Sequence, residues 1–167
     1  MTLAATQQSK ESQFEELVRQ NAPAVAAYLR RRIYPLDLSD VDDVLAETLV
    51  TTWRRFDAIP KDAALPWMLG VARRTLANTK RAAERKSRRD RQVSLPATPS
   101  AESLAVADLS LAAALSHLSD DEREILLASV WDGLEVADLA ALYEISHNAA
   151  ALRLSRAKAR FLAAFHE

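Results

Sequence analysis

LEVADLAALYEISHNAAALRLSRAKARF, residues 134–161, holds two helical patterns separated by three residues. Leu134 to Tyr143 reads as a short helix with Val136, Leu139, Ala140 and Tyr143 on its inner face. Glu144-Ile145-Ser146 reads as a tight turn, and the Ser146 hydroxyl can cap the next helix. His147 to Phe165 reads as that last helix, with Ala150, Leu154, Ala157 and Phe161 turned inward. Two helices joined by so short a turn predict a helix-turn-helix, whose second helix fits the major groove of duplex DNA. The residues facing such a groove would be His147, Asn148, Ala151, Leu152 and Ser155, with the basic set Arg153, Arg156, Lys158 and Arg160. The spacing 153, 156, 160 sets three Arg along one broad face. An ordinary helical hairpin with a solvated basic face would show the same pattern.

Upstream, Ser119-Asp120-Asp121-Glu122 forms a capping box that starts a helix carrying Ile125, Leu126 and Val130. Asp132-Gly133 is its stop signal. Leu104, Leu111, Leu115 and Leu118 give one more helix before it. Before that again, QVSLPATPSAES (92–103) carries two prolines among small polar residues, which is linker chemistry. The chain therefore divides into a domain at 11–91, a flexible linker at 92–103 and a second domain at 104–167.

In the first domain, Val41, Val44, Leu45, Thr48, Leu49, Thr52, Trp53 and Phe56 fall on one stripe of a helix. Ser39-Asp40-Val41-Asp42 resembles a capping box with Asp in place of Glu. Acidic residues in the first turn suit the positive end of the helix dipole. The helix is either a core helix with a solvated face or also a docking face for a partner. Asp57 to Ala64 reads as a loop, and Leu65, Leu69, Ala72, Leu76 and Ala83 mark a long helix over about 65–90. Its second half is basic, and Asn78, Arg81, Arg85 and Arg88 make a stripe that can neutralise phosphates or read base edges. Trp67 is either a core residue or a platform for an exposed base. Before these elements, helices are expected at about 10–21 and 22–33, with a restart at Pro23. Tyr34-Pro35 ends the second. The first residues, MTLAATQQSKESQ, read as a short frayed tail without a signal pattern.

Composition agrees with an all-α protein. Of 167 residues 49% are apolar, mostly Ala and Leu, and only two are Gly. The absence of Cys excludes disulfides and thiolate metal sites and suits a cytoplasmic location. No apolar run reaches the roughly 20 residues of a membrane helix. The formal net charge of −1 conceals segregation into sign blocks. Asp37 to Glu47 is acidic, Arg73 to Arg91 nearly all basic, Asp120 to Asp138 acidic, Arg153 to Arg160 basic. Such blocks suggest one polyanionic partner and one basic or mixed protein surface. Catalytic constellations are missing. There is no Gly-rich phosphate loop and no His pair at metal spacing, His117, His147 and His166 are scattered, and adjacent Asp42 and Asp43 diverge by about 100° on a helix. No cofactor, metal site or enzymatic activity is expected.

Taken together, these segments resemble the extracytoplasmic-function sigma factors of bacterial RNA polymerase. DVDDVLAETLVTTWRRF (40–56) resembles the family's region 2.2, LPWMLGVARRTLANTKRAAERKSRR (65–89) resembles regions 2.3 and 2.4, and residues 118–161 resemble region 4. The resemblance implies two helical domains and a transcription initiation factor that directs core polymerase to promoters. It implies that Asp42, Asp43, Glu47, Val50 and Arg54 meet the β′ clamp helices. Ile59, Lys61, Trp67, Arg74, Asn78, Arg81 and Arg85 would then open and read the minus-ten element. Residues His147 to Arg160 of the last helix would read the minus-thirty-five element as duplex. It also implies contact with the β flap and control by an anti-sigma factor. Several positions depart from the family pattern. Ala46 replaces a Gln, Arg74 an Asn of the base pocket, Asn78 an Asp, Glu135 a capping Ser or Thr, Glu144 the turn Gly, and Ala150 a Val. A conventional helix-turn-helix regulator binding duplex DNA as a dimer is the alternative, but it leaves the first domain without a task.

Overall fold

The structure, a computed structural model, describes residues 2–90 and 106–165, and every regular element among them is helical. The expected linker at 92–103 lies outside the described residues. Contacts divide the chain into two units, Met1–Gln92 and Val93–Glu167.

In the first unit, α1 (Thr2–Arg32), α2 (Asp40–Arg54) and α3 (Ala64–Asp90) pack against one another. The expectation of two helices before residue 33, preceded by a frayed tail, is corrected here: α1 is continuous and passes through Pro23. Pro23 removes one backbone donor, but Val25, Ala26, Tyr28 and Leu29 just beyond it are buried. Burial of large side chains at about 1.5–3 kcal/mol each offsets the loss. Tertiary packing, not local propensity, decides continuity.

The α2 stripe is seated as its periodicity requires, with Val41, Val44, Thr48 and Thr52 buried. The two Thr hydroxyls are satisfied within the helix, donating to the carbonyls of Val44 and Thr48 at 2.7 Å each. The expected Ser39 capping box is not made. Ser39 is itself in helical conformation and makes no side-chain cap. The cap lies two residues earlier, where the Asp37 N–H donates to Asp40 Oδ2 at 3.0 Å. The stretch expected as a loop at 57–64 folds into two 3-10 turns, Phe56–Ala58 and Lys61–Ala63. Pro66 is accepted in the first turn of α3, where its missing donor costs little. Met68, Leu69, Val71, Ala72 and Leu76 then enter the core. Lys80 ties α3 to the end of α1, its Nζ donating to the Arg32 carbonyl at 2.5 Å.

In the second unit, α4 (Val106–Ser116), α5 (Asp120–Val130) and α6 (Val136–Tyr143) all pack on α7 (His147–Phe165). Fully buried Ala114, Ala128, Ala150 and Ala157 let these helices approach closely. Both halves of the Ser119–Glu122 capping box form. Arg123 closes the end of α4, donating to the carbonyls of Leu115 (3.0 Å) and Leu118 (3.1 Å). Gly133 takes φ 67° at the expected stop after α5.

Candidate functional site

Three helical faces stand free of the two cores. On α2, Asp42, Asp43, Glu47, Val50 and Arg54 are all exposed. Asp43, Glu47, Val50 and Arg54 are spaced 4, 3 and 4, so they share a strip roughly 60° wide. Asp42 points to its flank. The strip carries an apolar centre, Val50 at 47% exposure, between charged ends. Trp53 and Phe56 lie to one side of the strip, against α1. Phe14 of α1 meets their rings edge-on at 5.0 and 5.8 Å.

On α3, Arg74, Asn78, Arg81 and Arg85 are exposed and continue the same 4-3-4 spacing, with Arg88 three residues further on. Asn78 is oriented by its neighbour, since Arg81 Nη2 donates to Asn78 Oδ1 at 2.8 Å. Glu84 pairs with Arg88 at 2.6 Å and partly neutralises the far end of the stripe. Trp67 is half-buried, and the Arg55 guanidinium lies 5.5 Å from its ring centroid. Ile59 is half-buried and Lys61 exposed on the turns between α2 and α3. The loop residues therefore sit at the start of the helix that bears the stripe.

On α7, the outermost line runs through Asn148, Leu152 and Ser155, with Leu152 51% exposed. Arg153 and Arg156 lie along one side of it, His147, Ala151 and Lys158 along the other. All are exposed except Ala151, which is half-buried. Ser146 caps the helix, its Oγ accepting from the Ala149 N–H at 3.1 Å. Arg160 differs from the rest of the basic set. It is turned to α5 and pairs with Glu122 at 2.8 Å. Glu122 is held below the ordinary carboxylate range, chiefly by the Ser119 backbone N–H, with help from the Ser119 hydroxyl and Arg160 and against partial burial.

The turn before α7 explains the presentation of that helix. Glu144 adopts φ 55°, ψ 42°, the left-handed conformation. The Ile145 N–H reaches back to the Ala140 carbonyl at 3.0 Å and the Glu144 N–H to Ala141 at 3.4 Å, a Schellman motif. At the other end of α6, Asp138 accepts from the Glu135 N–H at 3.1 Å, so the reciprocal half of a cap survives without Ser or Thr.

Two features escaped the sequence reading. One is an apolar groove of about 310 Å³ between α4, α5 and α7, lined among others by Leu115, Leu127, Trp131, Phe161 and Leu162. Its residues come from three helices, so no single periodicity reveals it. The other is Lys10, assigned to a tail, whose Nζ reaches Asp57 at 2.7 Å. Among the described residues no group of His, Cys, Asp and Glu is arranged to hold a metal, and no helix is long and apolar enough to cross a membrane.

Comparison with known proteins gives these faces a context. Residues 17–86 match the model of sigma-70 region 2, and residues 108–161 match that of sigma-70 region 4. Among curated proteins none matches the sequence significantly. Solved structures with this fold include the sigma factor RpoE of Bartonella quintana, crystallised with the anti-sigma factor NepR. It is 20% identical, with 92% of this chain and 97% of that one covered at a TM-score of 0.63. CnrH in complex with the cytosolic domain of CnrY is 23% identical, with 92% and 87% covered at a TM-score of 0.60. The two family models together span well over half of the sequence, in the order of its two folded units. The chain belongs to the sigma-70 family of transcription initiation factors, carrying its regions 2 and 4.

Proposed function

We propose a division of labour among the exposed faces of this sigma factor as it binds core RNA polymerase and promoter DNA. The α2 strip of Asp43, Glu47, Val50 and Arg54, flanked by Asp42, docks on the β′ clamp helices. Its apolar centre and charged rim have the anatomy of a protein interface. Arg74, Arg81 and Arg85 hold the backbone of the minus-ten element. Asn78, oriented by Arg81, and the turn residues Ile59 and Lys61 beside Trp67 meet its bases. In the second unit, Asn148, Leu152 and Ser155 reach base edges of the minus-thirty-five element. Leu152 suits a thymine methyl group. Arg153, Arg156, Lys158 and His147 flank that line on both sides, where phosphates run. The apolar groove between α4, α5 and α7 takes an amphipathic helix of the β flap.

The observation that carries this reading is the pair of cationic helical faces, on α3 and α7, each free of its own unit's core. The chain acts in the cytoplasm by binding and strand separation and catalyses no reaction of its own. An anti-sigma factor, as in the complexes of the structural neighbours, holds it inactive by covering these faces. The test is run-off transcription with purified core polymerase on a pool of promoter fragments. Transcripts from a shared two-element motif that require the protein support the reading. Tight binding of the protein alone to duplex DNA, with no new transcripts, refutes it.

A further inference from the structure

The turns between α2 and α3 carry Ile59 and Lys61, two of the residues assigned to the minus-ten element, and two cations hold the first of these turns in place. Arg55, at the start, lies over Trp67 at the beginning of α3. Asp57, one turn on, is held by Lys10 of α1 at 2.7 Å across 47 residues of sequence. The same ammonium group lies 5.6 Å from the Trp53 ring centroid and 5.9 Å from that of Phe56. Phe14, one helical turn after Lys10, completes the aromatic cluster from the α1 side. Lys10 is only about one-third exposed, whereas Asp57 is 83% exposed. The ammonium is therefore set in a fixed aromatic cradle and reaches out to a carboxylate that the backbone alone would leave in solvent. The Ala58 N–H donates to the Arg55 carbonyl at 2.9 Å and the Ile59 N–H to Phe56 at 3.2 Å. Fixing Asp57 thus fixes the turn that presents Ile59. Lys10 lies before residue 17, where the match to the region 2 model begins.

We infer that Lys10 is a positioning residue for strand opening: the part of α1 that precedes the region 2 segment holds the turn at 56–59 in the conformation that meets the separated strand. Free of this latch, the turn must be ordered as the strands part, and the entropy of ordering adds to the barrier of opening, which limits initiation on a duplex but not on a template already unpaired. The inference rests on the proposed role of these turns at the minus-ten element. A half-exposed ion pair is worth at most about 1 kcal/mol, which is roughly a fivefold effect on a rate or equilibrium. Reversing one charge adds repulsion to the loss.

The test uses the full chain with core polymerase, on a fully duplex promoter and on the same promoter with the minus-ten region already unpaired. Lys10→Glu is expected to lower initiation on the duplex about fivefold and to leave core affinity and initiation from the unpaired template within twofold of the starting protein. Lys10→Arg keeps both the charge and the ring contact and should retain duplex initiation. Lys10→Glu combined with Asp57→Lys restores the ion pair and should recover at least half of the loss. A Lys10→Glu protein that opens the duplex as well as the original overturns the inference. So does a loss that is equal on both templates, or a double reversal no better than the single one. Failure of the unaltered protein to initiate on either template would instead refute the role assigned to the turns.

Discussion

Replacing Glu144 by Gly stabilises the C-terminal unit while leaving α7 in place. Glu144 sits at φ 55°, ψ 42°, where a Cβ crowds the following carbonyl at a cost of about 1–2 kcal/mol. Gly takes that conformation freely but makes the unfolded chain more flexible, which returns about 0.5–1 kcal/mol. The gain from backbone conformation is about 0.5–1 kcal/mol. Both Schellman bonds are made by backbone atoms and survive the change. The assay is hydrogen exchange at the buried Leu139 and Leu154, which reports the opening of this unit alone. Exchange there should slow about twofold to fivefold, and protection of Val44 and Leu69 in the other unit should not change. Glu144→Ala separates the causes, since it deletes the carboxylate and keeps the Cβ. If Ala stabilises as much as Gly, the cost lies in the carboxylate and its surroundings, and the argument from backbone conformation is refuted.

Ser119→Ala removes the hydroxyl of the capping box and should cost the second unit about 1 kcal/mol, read from the same amides. Because the Glu122 pKa is lowered by folding, its contribution is fully present above the ordinary carboxylate value and is lost as pH falls through the lowered one. Acid titration of stability should show that loss in the original protein and less of it in Glu122→Gln. Leu139→Ala empties a fully buried site and should cost about 2–5 kcal/mol; calorimetry should show the second unit melting early and the first unmoved. Arg81→Ala and Arg85→Ala should each reduce the salt dependence of promoter binding by about one phosphate equivalent. Leu152→Ala should instead change base preference in the minus-thirty-five element without changing the salt slope, and parallel salt titrations of the variants check both.

The parts of this fold legible in sequence are those set by one helix at a time. The α2 stripe, the basic line on α3, the Ser119–Glu122 box and the three-residue turn at 144–146 each come from periodicity or local hydrogen bonding. The parts that were not legible depend on partners distant in the chain. Pro23 reads as a helix boundary until Val25, Tyr28 and Leu29 are seen buried in the bundle. Ser39 has the right chemistry for a cap, but the turn at Asp37 to Asp40 places another carboxylate where it can do the work. Arg160 is one of four cations on α7 by spacing, and only the packing of α5 shows that Glu122 holds it. Lys10 carries no local signal at all, because its partners lie more than 40 residues away.

The balance of charge explains why such a chain works through polymerase. Each cationic face can neutralise only a handful of phosphates, so either unit alone binds DNA weakly and loses that binding steeply with salt. The acidic strip on α2 adds repulsion from DNA in the same unit that carries the α3 stripe, and the chain as a whole is near neutral. In the docking proposed above, that strip becomes an asset against a basic or mixed protein surface. Docked on core polymerase, both units share one support, and the second DNA contact becomes intramolecular, with the gain in effective concentration that such tethering brings. Tight promoter binding is then conditional on polymerase. Making the α2 strip less acidic, for example with Asp43→Asn and Glu47→Gln, should raise the affinity of the free chain for any duplex while weakening its hold on core. Separate binding curves on DNA and on core polymerase would move in opposite directions, and movement in the same direction would break the argument.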